Sequence, residues 1–358
     1  MSDDKRIPVT LLTGFLGSGK TTLLNAILRD PAMAGSAVLI NEVGEIGLDH
    51  LLVQEVSEEI ILLESGCLCC AVRGDLVKAL RDLFMRRLRR EIPALDRVII
   101  ETSGLADPAP VIHTLLEDFF IAERFVLQGV LSTLDVRNVH WQTAQHGEAM
   151  RQIVMADRVV FTKCDLASEA EIALAEARVE EINPSVACWR SAPGALPPGL
   201  LSELAPYSPA ARPAQTLAWL GDARAAEQAR LKARRSAFGG AAPASLHAAH
   251  SASVHTHVLR FAAPLDWQRF TTALDMLLLV SGDAILRIKG LVAVIDEDTP
   301  RVIHVVQHER YPSHNLAAWP DDDHSTRLVF IVDDLPRSVL DTVFAAFCDA
   351  TQDATDAH

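Results

Sequence analysis

Val9-Thr-Leu-Leu-Thr13-Gly14-Phe-Leu-Gly17-Ser18-Gly19-Lys20-Thr21-Thr22 decides the fold. An apolar run of strand character leads into G-x-x-x-x-G-K-T, and a helical pattern, Lys20–Leu28, leads out. Glycines at 14, 17 and 19 let the backbone curl until its N–H groups point inward at phosphate oxygens. The start of the following helix adds positive potential at the same spot. Lys20 is expected to reach the β- and γ-phosphates and the Thr21 hydroxyl to ligate Mg²⁺, with Ser18 and Thr22 completing the cradle.

Further apolar runs follow at Val38–Asn41, Ile60–Leu63, Val98–Glu101, Val126–Leu131 and Val159–Thr162, all continuous rather than alternating. Such runs suit a parallel sheet covered on both faces. Helical patterns at Gly74–Arg87, Ala109–Leu116 and Gln145–Met155 separate them, so a doubly wound α/β domain is expected. Composition shifts after Pro184, and Gly239–Ser253 reads as a flexible linker behind a helical stretch at Asp222–Arg235. Beyond it, Val254–Phe261, Ile285–Val294, Val302–Gln307 and Arg327–Val332 read as strands, with helices at Trp267–Leu279 and Ser338–Phe347. This predicts a smaller α+β domain in which Trp267, Phe270, Leu274, Leu277 and Leu278 are core. The expected organisation is 1–204 nucleotide domain, 205–253 linker, 254–348 second domain and 349–358 tail.

Composition narrows the function. The chain has 358 residues, 33 basic against 47 acidic, a formal net charge of −14. Nucleic acid and anionic membranes are therefore poor partners, and the run Arg81, Arg86, Arg87, Arg89 and Arg90 reads as a solvated helix end. The apolar runs fall far short of the ~20 residues that span a bilayer, and Met1–Pro8 is too polar for a secretory signal. Six cysteines, three of them clustered, suit a reducing, cytoplasmic setting with metal chemistry.

Three motifs refine the site. Glu101 ends an apolar strand where an acid holds Mg²⁺ in nucleotide hydrolases, and Gly104 is expected to offer its N–H to the γ-phosphate. Thr162-Lys163-Cys164-Asp165 resembles the guanine-reading N-K-x-D: Asp165 accepts from the base and the Lys163 stem packs on its ring. Thr stands where Asn is usual, yet the motif favours GTP over ATP. Gly66-Cys67-Leu68-Cys69-Cys70 offers soft thiolates suited to Zn²⁺, from all three sulfurs if the loop curls or from two of them otherwise. Cys188 and Cys348 read as packing residues. The segment Asn41–Asp49 carries Glu42 and Glu45 where a GTPase keeps its first switch, within reach of Mg²⁺, water or the thiolate-bound metal.

Together, Gly14–Thr22, Asn41–Asp49, Gly66–Cys70 with Val72-Arg-Gly-Asp75, and Glu101–Pro108 resemble the CobW-type GTPases, relatives of the metallochaperones UreG and HypB. Val258-Leu-Arg-Phe261, Pro264-Leu-Asp-Trp267, Arg287-Ile-Lys-Gly-Leu291, Gln307-His308 and Arg327-Leu-Val-Phe-Ile331 are similar to the C-terminal domain of that family. The resemblance implies GTP hydrolysis coupled to delivery of a divalent metal, usually zinc and in some relatives cobalt, to a client metalloprotein. Lys20, Glu42 and Glu101 are then the catalytic candidates, and Glu42 joins Cys67, Cys69 and Cys70 as a candidate metal ligand. Two rivals are an activator of one cobalt enzyme and a metal buffer whose nucleotide is structural. A homodimer is left open.

Histidine adds a weaker signal. His247, His250, His255 and His257 fall within eleven residues and are candidate accessory metal gatherers. His304 and His308 read as strand residues sharing a face.

Overall fold

The computed structural model describes residues 5–41, 60–63, 71–92, 95–201, 216–217, 220–221 and 254–348. Glu42, Glu45, Cys67, Cys69, Cys70, His247, His250 and the helical stretch Asp222–Arg235 lie outside the described residues. The chain divides into two compact units, Met1–Val179 with Val186–Pro206, and Glu180–Ser185 with Tyr207–His358.

The first unit is a seven-stranded sheet in which every described pairing is parallel. Its strands are β1 (Ile7–Gly14), β2 (Ser36–Asn41), β3 (Ile60–Leu63), β4 (Arg97–Thr102), β5 (Phe125–Asp135), β6 (Arg158–Thr162) and β7 (Ala187–Arg190), in the order β3-β2-β4-β1-β5-β6-β7. The expected apolar runs fall inside them, and β6 is buried throughout because helices cover both faces. The central β1 pairs with β4 on one side and β5 on the other, so the loop after Gly14 opens where the strand order reverses.

Helix α1 (Lys20–Leu28) buries Leu23, Leu24, Ala26 and Ile27. Leu23, Leu24 and Ile27 pack with Leu12, Val38, Ile40, Ile99, Leu131 and Val160, one face of the sheet. The helix stops before Pro31, where Asp30 caps a short turn by accepting from Ala32 N–H at 2.9 Å. After α2 (Ala71–Leu88), α3 (Ala109–Glu117) and α4 (Phe119–Arg124), the expected helix at Gln145–Met155 is α6 (Gly147–Met155), and α5 (Val139–Gln145) just before it lies outside the expected set. His146 between them is extended and turns the chain, so its flanking periodicities belong to separate faces.

Helix α7 (Glu169–Ile182) and β7 lie outside the expected set. Ser168 opens α7 with a reciprocal cap: its Oγ and backbone N–H both donate to Glu171 Oε2 at 2.8 Å. The S-x-x-E spacing was the legible signal; the Ala/Glu-rich stretch behind it has too little apolar periodicity to stand out. Cys188, expected to pack, is exposed on β7.

The second unit is an antiparallel sheet ordered β11-β10-β9-β13-β8, with β12 paired to β10. The strands are β8 (Val254–Phe261), β9 (Ile285–Val292), β10 (Arg301–Val306), β11 (Glu309–Arg310), β12 (His314–Asn315) and β13 (Thr326–Asp333). Helices α8 (Trp267–Ser281) and α9 (Arg337–Cys348) cover one face and bury Phe270, Leu274, Leu277, Leu278 and Phe344 against Ile288, Ile303, Leu328 and Phe330. The opposite face of β9 is also buried, so Arg287 and Lys289 are enclosed, and Lys289 Nζ donates to Ser185 Oγ at 2.9 Å. His308 does not share a strand face with His304. Gln307, at φ 52°, ends β10, and His308 turns to meet Asp283 Oδ1 at 2.9 Å.

Candidate functional site

The loop from Gly14 to Gly19 is wound onto the ends of neighbouring strands. Gly14 has φ +142°, and a Cβ there would come within 2.4 Å of Thr133 Oγ1 and 2.5 Å of the Thr133 carbonyl oxygen. Only glycine fits such an approach. Ser18 is fully buried and exchanges a 2.7 Å hydrogen bond with Thr133 Oγ1, while Gly19, left-handed at φ 87°, starts α1. Lys20 Nζ donates to the Gly14 carbonyl at 2.9 Å and to that of Phe15 at 3.3 Å, arched over its own loop.

Beside it, β4 delivers Glu101, which is 5% exposed. The parallel register pairs Leu12 with Glu101, which brings that acid next to the first turn of α1. Thr21 Oγ1 donates to Glu101 Oε1 at 3.1 Å. A hydroxyl and a carboxylate at this separation are hard oxygen donors of the kind that hold Mg²⁺ beside phosphates. Asn41 and Leu63 end β2 and β3 in register with each other, and Asn41 is in register with Thr102. Glu42 follows Asn41 directly in the sequence, and the cysteine cluster follows Leu63 within seven residues.

Also at the start of α1 lies a cavity of about 270 Å³, lined by Gly19, Thr22, Thr162, Lys163, Asp165 and the loop Ser191–Ala195. Its volume is enough to admit one nucleobase. Thr162, standing where Asn was expected, donates through Oγ1 to the Ser18 carbonyl at 2.7 Å and to that of Leu134 at 3.1 Å. The shorter side chain therefore still ties the end of β6 to the Gly14–Gly19 loop. Lys163 adopts a left-handed backbone, φ 58°, and its Nζ reaches Asp135 Oδ2 at 2.7 Å.

Three contributors escaped the sequence reading. Asp135 is 2% exposed at the end of β5. Burial opposes its charge, but hydrogen bonds from Lys163, Asn138 and the Arg137 N–H outweigh that and hold its carboxyl below the ordinary value. An acid closing an apolar strand was the visible signal, as at Glu101. The Ser191–Ala195 loop was obscured by the Pro/Ala/Gly composition that it shares with the linker. Gln152, buried on α6, donates to the carbonyls of Gly104 at 3.2 Å and Ala106 at 3.0 Å, and nothing in its local sequence marks it.

The remaining candidates separate. His255 and His257 lie on β8 two residues apart, with ring centroids 6.4 Å from each other. His255 is exposed, whereas His257 Nε2 bonds the Leu335 carbonyl at 3.0 Å and burial lowers its pKa. Neither belongs to the phosphate or base site.

Comparison with known proteins agrees with this arrangement. Residues 8–190 match the family described as CobW/HypB/UreG, nucleotide-binding domain, and residues 254–348 match the cobalamin synthesis protein CobW C-terminal domain. The chain is 31% identical over 339 residues to the zinc chaperone YjiA of Escherichia coli (strain K12), covering 95% of this chain and 98% of that protein.

The chain belongs to the CobW/HypB/UreG family.

Within that family, the zinc-regulated GTPase metalloprotein activator 1 of Schizosaccharomyces pombe is 34% identical over 184 residues, spanning 49% of this chain and 44% of that protein. The crystal structure of Zn(II)-bound YjiA superposes with a TM-score of 0.66 at 25% identity, covering 96% of this chain and 99% of that one. This CobW-family chain thus shares both of its domains with YjiA rather than the nucleotide domain alone. Among its described residues no helix is long and apolar enough to cross a membrane.

Proposed function

We propose that this chain is a GTP-hydrolysing metallochaperone that carries a divalent metal, zinc, to a client protein. The observation that carries the reading is the Thr21–Glu101 pair at 3.1 Å beside a complete phosphate loop, with Thr162, Lys163 and Asp165 lining a base-sized cavity. The full-length likeness to a zinc chaperone and the partial likeness to a zinc-regulated GTPase support the choice of cargo.

Each residue has a physical task. Backbone N–H groups of Gly17, Ser18 and Gly19 and the Lys20 ammonium neutralise phosphate charge, and they gain most as charge builds on the transferring oxygens. Lys20 exchanges its loop carbonyls for the β- and γ-phosphates. Thr21 and Glu101 are the residues that would hold Mg²⁺, directly or through water, and the bound ion would supply positive charge to spread that of the leaving diphosphate. Gly104 offers its N–H to the γ-phosphate, and Glu42 serves the attacking water or the cargo metal. Asp165 reads the guanine edge.

The cargo binds Cys67, Cys69 and Cys70, with Glu42 as a candidate fourth ligand. Mg·GTP tightens that site and hydrolysis loosens it, which requires GTP and metal to raise one another's affinity by the same factor. His255 and His257, with His247 and His250, are accessory collectors of metal. Zinc competition titrations on GTP-analogue-loaded and GDP-loaded protein test the coupling. Tighter zinc binding with the analogue is expected, and equal affinities overturn it. Light scattering in the two states reads whether a homodimer forms.

A further inference from the structure

Gly104 sits between two contacts, one at its Cα and one at its carbonyl. On one side it lies on the phosphate loop: a Cβ at 104 would come within 2.7 Å of Leu16 N and 2.8 Å of Leu16 Cα. On the other side the Gln152 amide reaches across from α6 and donates to the carbonyls of both Gly104 and Ala106. Two carbonyl acceptors leave no ambiguity about which end of the amide faces them. Gln152 is 0% exposed, and among the described residues its Oε1 has no hydrogen-bond partner. Burying half an amide unsatisfied is costly, so the two bonds made by the other half hold a geometry rather than add surplus stability.

Helix α6 is itself fastened around the phosphate loop. His146, at its N-terminus, stacks on Phe15 with ring centroids 4.7 Å apart, and Arg151 Nε lies 3.7 Å from Asp107 Oδ2. The segment 103–107 is folded back by Ala106 N–H to the Ser103 carbonyl at 3.1 Å. Glycine has the widest conformational freedom of any residue, and a loop built on it presents an N–H in one direction only if something outside the loop holds it.

We propose that Gln152 is a positioning residue that holds segment 104–106 through its carbonyls, so that the Gly104 N–H faces the terminal phosphate and the chain tells nucleoside triphosphate from diphosphate. The assignment rests on the nucleotide reading above. The base and the α- and β-phosphates would meet residues 14–22 and 162–195, whereas the described hydrogen bonds of Gln152 go to Gly104 and Ala106. Only the γ-phosphate meets the segment it holds. Loss of its donor therefore weakens triphosphate binding and leaves diphosphate binding alone.

The test uses the full chain with Mg²⁺, GDP and a non-hydrolysable GTP analogue. Gln152→Met keeps the side chain's length and removes the donor. Its expected effect is a loss of about tenfold in analogue affinity relative to GDP affinity, the size of two ordinary neutral hydrogen bonds. The rate constant for GTP hydrolysis should fall in parallel while GDP affinity stays at the wild-type value. Gln152→Asn retains the amide one methylene short and provides the same ratio should the Met variant fail to fold. It should fall between wild type and Met. An unchanged ratio in Gln152→Met overturns the proposal, as does an equal loss for both nucleotides, which would make Gln152 a packing residue. Failure of the wild-type chain to bind GDP is a separate result: it overturns the nucleotide reading and this assignment with it.

Discussion

Thr162 illustrates how a residue departs from a motif and keeps its task. Its hydroxyl bonds the Ser18 carbonyl, 144 positions away in sequence, and that of Leu134. Thr162→Val keeps the shape and leaves both buried carbonyls short of a donor, which costs about 1–3 kcal/mol. Chemical denaturation should read that loss, and guanine-nucleotide affinity should fall with it, whereas Thr162→Ser should retain both. Asp135 is tested in the same way. Asp135→Asn removes the charge that anchors Lys163, so GTP and GDP affinities should both fall by about three- to tenfold in titrations, the effect of one charge-assisted bond discounted for solvent. Lys20→Ala should abolish hydrolysis, a drop of at least about a hundredfold, because the cation nearest the transferring phosphoryl group is lost.

At the scale of elements, the second unit stands on the contact of α8 and α9 with its sheet. Phe344 is 1% exposed and stacks on Phe270 at 5.9 Å and edge-on to Phe330 at 6.1 Å. Phe344→Ala should cost about 3–5 kcal/mol, through lost burial and the cavity left behind, measurable by denaturant titration. On β10, His304 is 3% exposed, with its ring centroid 4.1 Å from that of Tyr311. Burial, then the charges of Arg287 and Lys289, press its pKa well below the ordinary 6.5. The unfolded chain therefore takes up a proton that the folded chain refuses. Stability is unaffected above pH 6.5 and declines as pH falls below it, by at most about 1.4 kcal/mol per pH unit for this one group. His304→Phe should flatten the slope of denaturation midpoints between pH 7 and pH 5.5, and an unaltered slope would assign it to another group.

For the whole molecule, legibility follows the distance over which a feature is decided. The phosphate loop and the helix behind it are local, and Gly14–Thr22 stated them in full. The apolar runs announced β1 to β6 because strands buried on both faces need no partner to look like strands. Helix α7 was missed because its Ala/Glu-rich stretch lacks a sharp apolar stripe, although Ser168 and Glu171 mark its start. The prediction at this scale concerns coupling between nucleotide and cargo. Cys67→Ser, Cys69→Ser and Cys70→Ser should each weaken zinc binding in the GTP-analogue state, by about tenfold or more where a soft thiolate ligand is lost, and leave GDP affinity intact. Anaerobic metal counts with nucleotide titrations read both.

The sequence alone determined the nucleotide chemistry, since glycines, a lysine and a threonine at fixed spacing dictate what one short loop can bind. The switch from continuous apolar runs to a strand–helix–strand series beyond the Gly/Ala/His stretch pointed to a second body, although the two units interleave, with Glu180–Ser185 in the second and Val186–Pro206 back in the first. Tertiary structure alone decided which distant partners the residues of the site meet. Glu101 reaches Thr21 through the β1–β4 register, Asp135 reaches Lys163 across the β5–β6 pair, and Gln152 reaches Gly104 from a separate helix. Glu101 and Asp135 are marked locally only as acids that close apolar strands, and Gln152 is not marked at all, because a hydrogen bond between distant segments is set by how strands pair and helices pack.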